Sequence, residues 1–144
     1  MDVNLNAHEA RVLGTLLEKG YTTPEQYPLS LNAVTNGCNQ KNNRAPQTDF
    51  SEAEVTVALT GLQYKHLVGS STPAGSRVQK WRHNAPEALS LGDRELAVLA
   101  ELLLRGAQAP GELRTRASRM NKIADQEELG RILGTLQELS LIHI

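Results

Sequence analysis

Cysteine occurs once in the 144 residues, at position 38, so no internal disulfide can form. A lone thiol is compatible with a reducing, cytoplasmic setting, which is the expectation adopted for this chain. Aromatic residues are nearly as scarce, five against 22 leucines, and any core must be built from aliphatic side chains. No apolar run approaches the ~20 residues that span a bilayer, so no membrane partner is expected. The amino terminus "MDVNLNAHEA" has neither the basic nor the apolar stretch of a signal peptide. Excess charge of one sign is missing too: a net charge of −1 gives no overall attraction to nucleic acid or to an anionic surface. His8, His66, His83 and His143 are scattered without metal-ligand spacing, and no glycine-rich loop ends in the Lys-Ser/Thr pair that cradles phosphate. These absences argue against a catalytic centre, a metal, a cofactor or a small-molecule ligand.

What the chain does contain is a repeat. "LNAHEARVLGTLLEKG" at 5–20 aligns with "LGDRELAVLAELLLRG" at 91–106 at a constant offset of 86. Leu5, Glu9, Val12, Leu13, Leu16, Leu17 and Gly20 fall on Leu91, Glu95, Val98, Leu99, Leu102, Leu103 and Gly106. Each stretch carries an apolar helical face, with Asn6 or Gly92 as N-cap, and ends at a glycine suited to a left-handed cap. A later helix repeats with offset 74: Val55, Ala58, Leu59 and Leu62 match Leu129, Ile132, Leu133 and Leu136. Ser51 before Glu54 forms a capping box, and Asp125 before Glu128 is its acidic counterpart. Two copies of one unit displace the single domain that length alone suggests. A separate leucine core is expected in each.

Between these helices lies a shorter one, "SLNAVTNGCNQ" in the first copy and "GELRTRASRM" in the second. Aligning Leu31 with Leu113 places Cys38 on Met120, a thioether. The spacing therefore puts Cys38 on an inward face, where a thiol behaves as a small hydrophobe rather than a nucleophile. "NQKNNRAPQTDF" reads as a polar connector carrying Lys41 and Arg44. After the third helix, Leu67 to Thr72 and Arg77 to His83 read as strands around the turn "PAGS". Alternation puts Arg77, Gln79, Trp81 and His83 on one face of the hairpin and Val78, Lys80 and Arg82 on the other. "NAPEALSLG" reads as a linker.

The strings "LLEKGYTTPEQYPLSLNAVTNGCNQKNNRAP", "GSRVQKW" and "LLLRGAQAPGELRTRASRM" resemble the YceH family of bacterial proteins, a conserved domain of unknown function, from Leu5 to about Glu138. The resemblance implies two tandem winged helix-turn-helix domains and supplies no activity, catalytic residue or cofactor. The fold expected is mainly α with small β-hairpins, an α+β chain. It comprises a first winged-helix domain over 1–84, a linker over 85–90 and a second domain over 91–144 lacking most or all of its wing. The last six residues, "LSLIHI", look like a translated transposase-end adapter from a sequencing library. The expectation is that the natural chain is longer and that Leu139 to Ile144 are not native.

Two functional readings follow. In the first, the chain binds double-stranded DNA in a regulatory role, the third helix entering the major groove and the wing touching the backbone. The candidate contacts are Lys41, Arg44, Arg77, Lys80 and Arg82 in the first copy, with Arg114, Arg116 and Arg119 in the second; the alternative for each is a solvated surface charge, the commoner fate of such residues. Glu52 and Glu54 weigh against this reading, because carboxylates at the start of the third helix repel phosphate, although they suit the helix dipole. In the second reading the winged-helix units form a protein-interaction scaffold or self-associate, which a near-neutral chain accommodates.

Overall fold

The computed structural model describes residues 4–139 as an α+β chain with seven helices and a small antiparallel sheet among them. The C-terminal string read above as foreign lies, apart from Leu139, outside the described residues. Helix α1 spans Ala7–Thr22 and opens with a capping box: Glu9 N–H donates to Asn6 Oδ1 at 2.8 Å, and Asn6 N–H donates to Glu9 Oε1 at 3.0 Å. Val12, Leu13, Leu16 and Leu17 form its fully buried stripe. The helix does not stop at Gly20, as its sequence suggested, but runs two residues further. Tyr27 and His83 lie 3.7 Å from where a Cβ at Gly20 would stand, an ordinary contact distance, so packing there does not demand glycine.

A 3-10 turn at Pro24–Gln26 leads into strand β1, Leu29–Ser30, and then helix α2, Leu31–Asn39, capped by Ser30. Helix α3, Glu52–Tyr64, has the capping box read from Ser51 and Glu54 and buries Val55, Ala58, Leu59 and Leu62. It ends in a Schellman motif, with Leu67 N–H donating to Leu62 O and His66 N–H donating to Gln63 O. His66 holds the left-handed position at φ +64°.

Strands β2, Val68–Ser71, and β3, Lys80–His83, form the hairpin, shorter than the sequence suggested. Ser76 N–H closes the Pro73–Ser76 turn on Pro73 O, Gly75 adopts φ +81°, and residues 77–79 stay outside the ladder. The sheet order is β1-β3-β2, with Leu29 opposite Trp81 and Trp81 opposite Ser70. Trp81 faces the core and Arg82 faces solvent, the alternation read from the sequence. Strand β1 was not foreseen, because two residues carry no readable alternation.

The stretch read as a linker contains a short helix, α4 (Ala85–Leu89), whose Ala85 and Leu89 are buried. Helix α5, Asp93–Arg105, ends at Gly106 with φ +77°, the glycine ending that α1 lacks. Helices α6, Pro110–Ala117, and α7, Gln126–Glu138, complete the second copy; Leu113, Ala117, Leu129, Ile132 and Leu136 point inward. Asp125 caps α7 through Glu128 N–H at 2.8 Å, and the Glu128 carboxylate accepts from Ala124 rather than closing a reciprocal box.

The expectation of a separate core in each copy fails. Buried residues of both copies form one contiguous cluster, with the equivalent helices α1 and α5 packed against each other. Gly14 lets them approach, since a Cβ there would stand 3.0 Å from Leu104 Cγ and Cδ2. Ala45 N–H donates to Leu104 O at 3.0 Å, fastening the α2–α3 connector to the second copy.

Candidate nucleic-acid interface

The hairpin and the outer face of α3 are adjoining parts of the first copy, because β2 follows α3 after the three residues of the Schellman ending. Arg77 and Arg82 are exposed and Lys80 is half-buried. Lys41 is exposed in the connector. Among the described residues, none of these four has a carboxylate within 4.0 Å, so their charge is available to a partner. Lys80 and Arg82 share a face because β3 must turn Trp81 inward, and alternation sends its neighbours out.

The outer face of α3 presents Ala53, Thr56, Val57, Thr60, Gln63 and Tyr64, all exposed and all uncharged. Val57 is 73% and Tyr64 87% exposed, the two most exposed large hydrophobic side chains among the described residues. Thr56 Oγ1 donates to Glu52 O at 2.8 Å and Thr60 Oγ1 to Thr56 O at 2.9 Å, so both hydroxyl hydrogens are taken up by the helix itself. At the helix start, Glu54 accepts from Ser51 N–H at 3.0 Å, which holds its carboxyl below the usual carboxylate range. Its other oxygen lies 3.9 Å from His8 Nε2. Glu52 is exposed, so an acidic end remains on this surface.

The remaining candidates need correction. Arg44 is not a surface cation: its side chain is fully buried, and Nη2 and Nη1 donate to Glu18 Oε1 and Oε2 at 2.6 and 3.0 Å. Its Nε donates to Gly37 O at 3.0 Å, so Arg44 ties the connector to α1 and α2. Arg119 bridges Glu18 at 2.7 Å and Glu101 at 3.3 Å, linking α1 to α5. Arg105 pairs with Glu101 at 3.0 Å and donates to Asn43 Oδ1 at 2.6 Å. Arg114 donates to Ile123 O and Ala124 O, closing the α6–α7 turn. Arg116 pairs with Glu112 at 2.9 Å and donates to Gln108 Oε1 at 3.0 Å. Desolvation makes an unpaired buried charge costly, so cations close to Glu18 and Glu101 are drawn into pairs with them. The second-copy arginines therefore do not form a free basic patch.

Sequence reading missed Glu18 and Glu101, the acids around which this interior network is built. A signal was present: Arg11, Thr15 and Glu18 recur at i, i+4 and i+7 beside the leucine stripe of α1, and all three are buried. Arg11 donates to Cys38 O, Thr48 Oγ1 and Pro46 O at 3.1, 3.1 and 2.7 Å, holding down the connector. Cys38 is a core residue, as its spacing indicated. It is fully buried, its Sγ accepts from Thr15 Oγ1 at 3.5 Å, and burial pushes its thiol pKa up. Among the described residues no helix is long and apolar enough to cross a membrane.

Residues 5–143 match a family model described as a protein of unknown function, DUF480. A UPF0502 protein of Geotalea daltonii is 55% identical over 136 residues, covering 94% of this chain and 62% of the relative. Another, from Geobacter sulfurreducens, is 51% identical over 138 residues, covering 96% of this chain and 63% of the relative. A third, from Yersinia pseudotuberculosis, is 51% identical over 140 residues, covering 94% and 59% respectively. The chain spans about three fifths of the length of these curated relatives.

Proposed function

From a chain that belongs to the DUF480 family, the UPF0502 proteins to which the YceH resemblance pointed, we propose a non-enzymatic, cytoplasmic protein that binds duplex DNA in a regulatory role. In this reading the two copies are tandem winged-helix units over 1–84 and 91–144, joined by residues 85–90. The order α1-β1-α2-α3-β2-β3, with the second strand of the hairpin at the centre of the sheet, supports it for the first copy. One observation carries the DNA reading: Arg77, Lys80 and Arg82 sit on the hairpin without carboxylate partners among the described residues, beside a helix whose outer face carries no charge from residue 55 to residue 64. A protein with no useful net charge must bind phosphate through such a local patch. The second copy contributes little directly, because Arg114, Arg116 and Arg119 are engaged within it or in holding it to the first copy.

The test is a set of duplex titrations at several salt concentrations. Each phosphate contact adds roughly −0.9 to the slope of log affinity against log salt. Replacing Arg77, Lys80 and Arg82 together by alanine weakens binding to all sequences and flattens that slope by as much as ~3. A wild-type protein without salt-sensitive DNA binding even in dilute buffer ends this reading.

The alternative is a protein-interaction scaffold, favoured by the exposure of Val57 and Tyr64 on one helix. It predicts one stoichiometric protein partner from the native host, no DNA enrichment, and failure to recover that partner with Tyr64→Ala.

A further inference from the structure

We propose that α3 selects A·T base pairs, chiefly by contacting the 5-methyl group of thymine; the inference rests on the duplex-binding reading above. The commonest specific contact in the major groove is Arg or Lys to guanine O6 and N7. Helix α3 contains neither residue from Glu52 to Tyr64, so it has no such reader for guanine. It offers methyl groups instead. Ala53, Thr56, Val57 and Thr60 line the outer face, and apolar side chains in the groove find their partner in the thymine methyl.

The threonines strengthen the argument. A free hydroxyl can donate or accept and so reads bases ambiguously. Here Thr56 and Thr60 have given their hydrogens to the Glu52 and Thr56 carbonyls. What remains for a base is a methyl group, which suits the thymine methyl, and an acceptor lone pair, which takes an adenine N6 or a cytosine N4 amino group alike, so the preference rests on the methyl. Gln63 adds an amide able to pair with adenine N6 and N7 on the same face.

Geometry sets the length of the preferred run. At ~1.5 Å rise per residue, Ala53 to Thr60 extends about 10 Å, the length of about three base pairs at ~3.4 Å each. Exposed Glu52 at the start of the helix can accept from a cytosine amino group, which places any tolerated G·C pair at the edge of that run.

The full chain is first used to select from a random-sequence duplex library, and the selected duplexes are then remade with uracil in place of thymine. The expected result is enrichment of short A·T runs, with affinity falling about fourfold for each thymine methyl removed from the interface. Val57→Ala and Thr60→Ser each abolish the thymine–uracil difference at one position while leaving the salt slope unchanged. Both positions are solvent-facing, and Thr60→Ser removes only the methyl while keeping the hydroxyl, so circular dichroism of the variants should match wild type. Salt-dependent binding that is indifferent to uracil, or selection of G·C-rich sites, overturns methyl reading and leaves duplex binding standing. Absence of salt-dependent binding to any duplex overturns both.

Discussion

Arg44 meets Glu18 edge to edge, Nη2 to Oε1 at 2.6 Å and Nη1 to Oε2 at 3.0 Å, with both side chains withdrawn from solvent. This bidentate pair joins the connector before α3 to helix α1, and Arg119 carries the network from the same carboxylate across to Glu101 of α5. The arrangement holds the first helices of the two copies in register and anchors the segment that leads into the candidate reading helix. It also redirects cations that would otherwise serve a ligand.

Loss of the Glu18 charge should be costly. Glu18→Gln leaves Arg44 without its ionic partner in a buried site, and destabilisation of about 3–5 kcal/mol is expected from chemical denaturation. Burial alone would raise the Glu18 pKa, but the hydrogen bonds and charges of Arg44 and Arg119 outweigh it and lower the pKa. The unfolded chain therefore takes up this proton more readily than the folded one. The stabilisation is present above the ordinary carboxylate range, near pH ~4.3, and is lost as pH falls through that range toward the folded pKa. Glu18→Gln should flatten the acid limb of the stability curve; an unchanged limb would show that other carboxylates set it.

Cys38→Ala should retain all binding and lose about 1 kcal/mol, the cost of a small core truncation. A thiol reagent should react with native Cys38 only as fast as the chain unfolds. Rapid labelling of the folded protein, with loss of binding, would contradict the core assignment.

His66 carries a steric penalty at φ +64° that glycine avoids. His66→Gly should stabilise the chain by about 0.5–1 kcal/mol, with no effect on binding, because the Schellman hydrogen bonds are made by the backbone. A drop in the denaturant midpoint would mean that the imidazole contributes more than its backbone position costs.

Because α1 and α5 share one core, the two copies should unfold together. Trp81, the single tryptophan, reports the first copy, while far-UV ellipticity reports the helices of both. Coincident transitions by the two probes are expected. Separated midpoints would show that the copies melt independently.

Much of the helical framework was legible because its determinants are local. Leucine spacing and the caps at Asn6, Ser51 and Asp125 act within one or two turns, and the structure has each of them. The inward turn of Trp81 followed from alternation alone. Strand β1 was illegible because two residues cannot show a period, and it exists only by pairing with β3. Gly20 looked like a helix stop by residue type, but α1 runs on to Thr22.

The candidate site divides along the same line. The outward direction of Lys80 and Arg82 and the outer face of α3 were legible in the sequence, since a period of two or 3.6 assigns each side chain to a face without reference to anything distant. The fate of Arg44 and Arg119 was not. Glu18 lies 26 residues from Arg44 in the chain, and the two meet only after the connector folds over α1 and the copies dock through α5. Once buried together, an acid and a base must pair because neither can remain desolvated alone. Local periodicity could thus determine the helices and their faces, while only the packing of one copy on the other decided which charges were left for a partner.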